Sequence, residues 1–191
     1  MSQMEAVRQP VSVGAQSRRR LDERLGLRFP RALALIARLV WRLPADSQLR
    51  QAWVRRAAQR GCEASNRGDF EANFVLWHPR VETIWDSQIV GLGWEPVTHG
   101  REARLDAQRR WIDEWGRFRF EPDEVIDLGD RMLVVGRMRG SGGRSGAPID
   151  NAWALLLTLS AGRVIREQPF MDHAEAFKAA GLLGATVSAG A

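Results

Sequence analysis

The stretch Phe118-Arg119-Phe120-Glu121-Pro122-Asp123-Glu124-Val125-Ile126-Asp127-Leu128-Gly129-Asp130-Arg131-Met132 decides the fold. Before it, apolar residues recur at helical spacing; from Phe118 onward they alternate, and a period of two marks strands. Phe118, Phe120 and Pro122 alternate with Arg119 and Glu121, and Ile126 and Leu128 continue the inward face. Gly129-Asp130 makes a tight turn into a strand from Met132 to Arg139. A glycine-rich connection, residues 140–146, leads to a strand from Ile149 to Leu159, and Ala161-Gly162 turns the chain into a last strand from Val164 to Asp172. A nucleotide-binding glycine loop must open a helix, so this one reads as a hairpin connection. A helix from Ala174 to Ala180 stops at Gly181.

Upstream the period is helical. Ser47 to about Arg67 is a helix, and Asp69 caps a shorter one on which Phe70, Phe74 and Trp77 share a face. Pro79 ends it, Val81 to Asp86 is a short strand, and Arg101 to Trp115 is a third helix. Helix, helix, strand, helix and then four antiparallel strands predict an α+β fold: a cone-shaped curved antiparallel sheet packed on three helices. The inside of such a cone is a natural apolar pocket.

The 191 residues, 45% hydrophobic and 27% charged, suit one globular domain with an extension. Residues 1–60 carry thirteen arginines against four acids, whereas residues 61–191 carry fifteen basic and nineteen acidic residues. The positive charge therefore belongs to an N-terminal arm, which argues against nucleic-acid binding by the main domain. The arm, residues 1–46, reads as unstructured over its first 20 residues and then as an amphipathic helix ended by Pro44, an N-terminal helical extension of the cone. Arg31, Arg38 and Arg42 fall within about 40° of one another on that helix. It either lies on an anionic membrane surface or packs on the domain with its arginines in water. Residues 47–183 form the main domain and residues 184–191 a disordered tail. No apolar run is long enough to span a membrane, and the expected location is cytoplasmic. One cysteine, Cys62, and three scattered histidines predict neither a disulfide framework nor a metal site.

Asn66-Arg67-Gly68-Asp69-Phe70-Glu71, His78-Pro79-Arg80-Val81-Glu82, Gly100-Arg101-Glu102-Ala103 and Val125-Ile126-Asp127-Leu128-Gly129-Asp130-Arg131 carry a family resemblance. Together they resemble SnoaL-like domains of the nuclear transport factor 2-like superfamily, over roughly residues 48–183. The resemblance implies the cone fold, a homodimer, no cofactor, and a small, mostly apolar molecule as ligand. Polyketide cyclases, ketosteroid isomerases, epoxide hydrolases, dehydratases and non-catalytic members share the fold, so the site must decide. The implied reaction is isomerisation, cyclisation or dehydration by carboxylate acid–base chemistry. A non-catalytic ligand-binding or dimerisation module is the alternative.

By resemblance to the isomerases, the side of the first strand bearing Glu82 and Asp86 faces the cavity. A carboxylate in a dry pocket becomes a competent base near neutral pH. Asn151 and Trp153 share a strand face with Leu155, which stands where relatives often carry histidine. Arg166 and Phe170 share a face with Gln168 on the last strand; Arg166 would pair with Glu82 or Asp86, or hold an anionic substrate. On the third helix Gln108, Trp111 and Trp115 follow Arg104 along one face. Either Arg104 and Gln108 make the pocket more polar than is usual in the family, or the helix turns Leu105 and Ile112 inward. With no tyrosine in the chain, a phenolic oxyanion donor is excluded.

Overall fold

The computed structural model describes residues 6–14, 18–116, 118–141 and 146–182, apart from the Trp115 side chain. Strand β1 (Val7–Pro10) is followed by helices α1 (Leu21–Arg28), α2 (Pro30–Val40), α3 (Gln48–Arg67) and α4 (Phe70–Asn73). Then come β2 (Trp77–Ile84), α5 (Ser87–Val90), β3 (Val97–His99) and α6 (Arg101–Trp115). The chain closes with β4 (Phe118–Asp127), β5 (Arg131–Ser141), β6 (Pro148–Ser160), β7 (Arg163–Phe170) and α7 (His173–Ala180). The fold is α+β: a curved, unclosed sheet in the order β1-β4-β5-β6-β7-β2-β3. All neighbours are antiparallel except β2 and β7. The β5–β6 ladder runs out to Ser141 opposite Pro148, as a hairpin requires; residues 142–145 of its connection and the tail 184–191 lie outside the described residues.

The sheet has two apolar faces. The concave face packs on α3 through Val54, Ala58 and Cys62 and on Phe74 at the end of α4, against Trp77, Val125, Met132, Val134, Trp153 and Leu157 of the sheet. The convex face takes Ile126, Leu128, Leu133 and Leu156 against Ala176, Phe177 and Ala180 of α7. Ile126 and Leu128 therefore point away from Phe118 and Phe120, contrary to the strict alternation expected of β4. The cause is a register shift between Pro122 and Glu124, where the extra residue of a bulge reverses which parity faces inward.

The Asn66-Arg67-Gly68-Asp69 motif turns the chain from α3 into α4. The Asn66 side chain pins β4 by accepting from Phe120 N at 2.7 Å and donating to Phe120 O at 2.9 Å. Gly68 ends α3 in the left-handed region at φ 74°, where a Cβ would be strained. Asp69 caps α4 by accepting from Ala72 N.

The arm is more ordered than the sequence suggests. Residues 7–10, expected to lack structure, pair with Asp127–Glu124 of β4. The arm's helix is two, broken at Phe29-Pro30. Acids and arginines interlock α1 with α3 and α4: Arg60 holds Asp22 at 3.1 Å, and Arg67 holds Glu23 at 2.8 Å. Arg20 reaches the buried Glu63 at 3.2 Å, and Arg19 grips Asp69 at 2.6 Å. Helix α2 lays Ala34, Ala37 and Val40 on the domain. The β6–β7 turn comes so close that a Cβ on Gly162, itself at φ 77°, would collide with the Ala34 carbonyl oxygen. Among the described residues no helix is long and apolar enough to cross a membrane.

Candidate functional site

A cavity of about 410 Å³ occupies the cone. Its walls are largely apolar, with Met132, Val134, Trp153, Leu155 and Leu157 on the sheet side and Ala58 and Cys62 on α3. Leu33 and Ala37 of α2 line it as well, so the arm is part of the wall.

A buried polar cluster sits within this apolar wall. Glu167 on β7 is 1% exposed, and Arg104 on α6 is 7% exposed. Arg104 Nε donates to Glu167 Oε2 at 2.6 Å, and its Nη2 donates to Oε1 at 3.2 Å. This bidentate fork fixes the carboxylate plane. Thr83 Oγ1 donates to Oε2 at 3.1 Å, and Arg104 Nη1 donates to Gln108 Oε1 at 3.0 Å. The guanidinium also lies 5.1 Å from the Phe74 ring centroid and 5.0 Å from that of Trp85, an aromatic setting suited to a weakly hydrated cation. Oε2 is thus doubly occupied while Oε1 keeps acceptor capacity, and the Gln108 amide nitrogen is a donor left over from its contact with Arg104. Glu167 and Gln108 both line the cavity, which therefore offers a ligand an acceptor beside a donor.

The strand register explains why this carboxylate faces in and Glu82 does not. In the parallel β2–β7 pair, Glu82 stands opposite Arg166 and Thr83 opposite Glu167. One couple occupies each side of the sheet. Glu82 and Arg166 pair at 2.7 Å on the outer side, both partly exposed. The expectation that Glu82 and Asp86 face the cavity is corrected, because the inward residues of β2 are Trp77, Val81 and Thr83. Asp86 caps α5, accepting from Gln88 N at 2.7 Å, and also accepts from Met171 N. Phe170 lies on the outer side with the α7 cluster. A second register shift, between Thr158 and Leu159 of β6 opposite β7, sets this parity.

Of the other candidates, Gln108 and Trp153 line the cavity, and so does Leu155. Asn151 is exposed near the β5–β6 hairpin. Trp111 packs edge-on against Trp94 at 5.6 Å and beside Phe118 at 6.0 Å, away from the cavity. Trp115 ends α6, and its side chain lies outside the described residues. Arg104 was detectable in the sequence as a charge where the family pattern is apolar. Glu167 and Thr83 carried no such signal.

Cys62 lines the cavity but is poorly suited to nucleophilic work. Burial pushes its thiol up to about 12, and the charge of Glu63 adds to the effect. At pH 8 roughly one thiol in ten thousand is then ionised, and only the thiolate attacks. Native protein should show no labelling by a disulfide reagent at pH 8 over minutes, with one equivalent released in denaturant; rapid native labelling would contradict the burial.

A curved sheet packed on helices around an apolar cavity defines the class of cone-shaped α+β proteins. A family model for the SnoaL-like domain matches residues 58–167, and the chain belongs to that family. Solved structures agree on the fold. A nuclear transport factor 2-like protein of unknown function from Burkholderia pseudomallei shares 21% identity at a TM-score of 0.57, over 69% of this chain and 98% of that one. A candidate SnoaL-like polyketide cyclase from Jannaschia sp. CCS1 shares 19% identity at 0.55, over 70% and 94%. A protein of ketosteroid isomerase-like fold from Catenulispora acidiphila, solved with trimethylamine, shares 13% at 0.53, over 66% and 92%. No protein of curated function matches the chain significantly.

Proposed function

We propose that this protein binds a small, mostly apolar molecule in the cone and orients it by one hydroxyl held between Glu167 and Gln108. The observation that carries this reading is the buried Arg104–Glu167 pair in the wall of a 410 Å³ apolar cavity, with one carboxylate oxygen still able to accept. A site with buried polar groups discriminates strongly against an analogue that lacks the matching hydroxyl, since those groups lose a partner they could have had. Proton transfer to or from the bound molecule, the reaction class of cyclase and isomerase relatives, is the second reading. It is favoured by the same open oxygen, and Glu167 replaces Glu82 and Asp86 as the group to which it is assigned.

The test is thermal unfolding with pairs of polycyclic phenols and their deoxy hydrocarbons. Phenols at about ten times Kd should raise Tm by roughly 3–6 °C. Their hydrocarbons should do so far less, and Glu167→Gln should erase the difference. Equal shifts for both members of each pair, or none for any, would refute hydroxyl recognition.

A further inference from the structure

Among the described residues, seven of the ten exposed large hydrophobic side chains fall between residues 21 and 49. On α1 and its exit they are Leu21, Leu25 and Phe29; on α2 they are Leu35, Ile36 and Leu39, all between 48% and 76% exposed. Leu49 follows at the start of α3. Helix α2 is thus apolar on two sides, with Ala34 and Ala37 against the domain and the larger leucines and isoleucine turned to solvent. Singly exposed leucines are ordinary on a protein surface, but a contiguous group marks a contact site.

Charge says what the contact is. Of the acids of α1, Glu23 turns inward to Arg67, and the part-exposed Asp22 is paired with Arg60. Arg19 and Arg20 are engaged by Asp69 and Glu63. Arg24, Arg28, Arg31, Arg38 and Arg42 are exposed and make no ion pair among the described residues. What remains outward is a set of unpaired cations interleaved with bulky apolar side chains. That is the composition of a helix lying in the headgroup region of an anionic bilayer. A nucleic-acid surface needs the cations but gains nothing from six exposed aliphatic and aromatic groups.

We propose that the α1–α2 face docks on an anionic phospholipid bilayer. The cavity strengthens the case. The exposed residues of its lining are Asp22, Leu49, Ala52 and Arg56, so it opens where α1 meets the first turns of α3, beside the docking face. A bilayer on that face lies next to the mouth, and an apolar ligand passes between them with little exposure to water. This last step rests on the ligand-binding reading above; docking itself does not.

The test is co-sedimentation of the full chain with bare vesicles, either phosphatidylcholine alone or phosphatidylcholine with phosphatidylglycerol. It is run at about 20 mM and about 500 mM salt, across which the screening length shrinks roughly fivefold. Binding is expected to phosphatidylglycerol vesicles at low salt, with large loss at high salt and little binding to phosphatidylcholine. Each arginine near the surface contributes about fivefold, so Arg31→Gln/Arg38→Gln should weaken partition roughly thirtyfold. Leu35→Ser/Leu39→Ser should weaken it at both salt concentrations, with circular dichroism and Tm showing that both variants remain folded. No sedimentation at low salt, or equal binding to uncharged vesicles, overturns the proposal. So does a wild-type dimer that the serine variant makes monomeric while vesicles go unbound, or retention of duplex DNA in place of vesicles. Because the vesicles carry no added ligand, failure here leaves the cavity reading standing, and the phenol experiment tests that reading alone.

Discussion

Arg50→Met should destabilise the protein by about 3–5 kcal/mol, the usual cost of stripping one partner from a buried ion pair. For a chain of this size that is a fall in Tm of roughly 6–20 °C. Arg50 is 5% exposed and Asp127 fully buried. Arg50 Nε and Nη2 each donate to a carboxylate oxygen of Asp127 at 2.7 Å. Nη1 donates to Trp41 O at 3.1 Å and Leu43 O at 2.8 Å, and Nη2 donates again to Gly129 O at 2.6 Å. All five guanidinium protons are therefore used, which is the condition under which a buried arginine is tolerated.

The same geometry predicts how the defect behaves in combination. A buried pair can often be replaced by apolar residues without loss, so Arg50→Met/Asp127→Leu tests whether the pair is all that matters. Recovery should be incomplete, with at least about 1–2 kcal/mol still missing, because the carbonyls of Trp41 and Leu43 and the Gly129 amide also lose their partners. Trp41 and Leu43 belong to the segment joining α2 to α3. The single variant should accordingly expose the arm to protease at concentrations that leave the wild type intact. A double variant as stable as wild type in urea melts would show that the carbonyl contacts contribute nothing.

The contrast between Asp127 and Glu82 shows what sequence could and could not convey. Period and punctuation located α3, α6, β5, β6 and α7 to within a residue or two, since each is long and bounded by glycine, proline or a capping acid. Parity was another matter. A single bulge at Pro122–Glu124 and another opposite β7 reverse which side chains face inward, and nothing in the local composition marks either position. The candidate carboxylates, Glu82 and Asp86, were placed by resemblance to the isomerases and not by period, and Thr83, the neighbour of Glu82, is the residue that faces the cone. Helix α1 was passed over for a different reason. Gly26 lowers helix propensity, yet here it is buried under the tip of the Leu33 side chain, which would have to shift to admit a Cβ. The partnership of β2 with β7 spans more than eighty residues of sequence, and so the Arg104–Glu167–Thr83 cluster had no local signature.

Arg104→Met should be the more damaging half of that cluster, again by about 3–5 kcal/mol, and it separates the role of the pair in folding from its role toward a ligand. It leaves the buried Glu167 carboxylate with only the Thr83 hydroxyl as a donor, whereas in the native state three donors converge on it. Arg104→Met/Glu167→Leu removes both charges and should regain much of the lost stability, since Arg104 donates to no carbonyl of the backbone among the described residues and its other hydrogen bond is to Gln108. That double variant keeps an apolar cavity without its polar anchor. It should still take up hydrocarbons, and it should lose the preference for phenols that Glu167 and Gln108 supply together. Unfolding curves measured with and without ligand check both halves: if Arg104→Met is as stable as wild type, the pair is not desolvated as the geometry requires. A double variant that still prefers phenols would place hydroxyl recognition elsewhere in the cone.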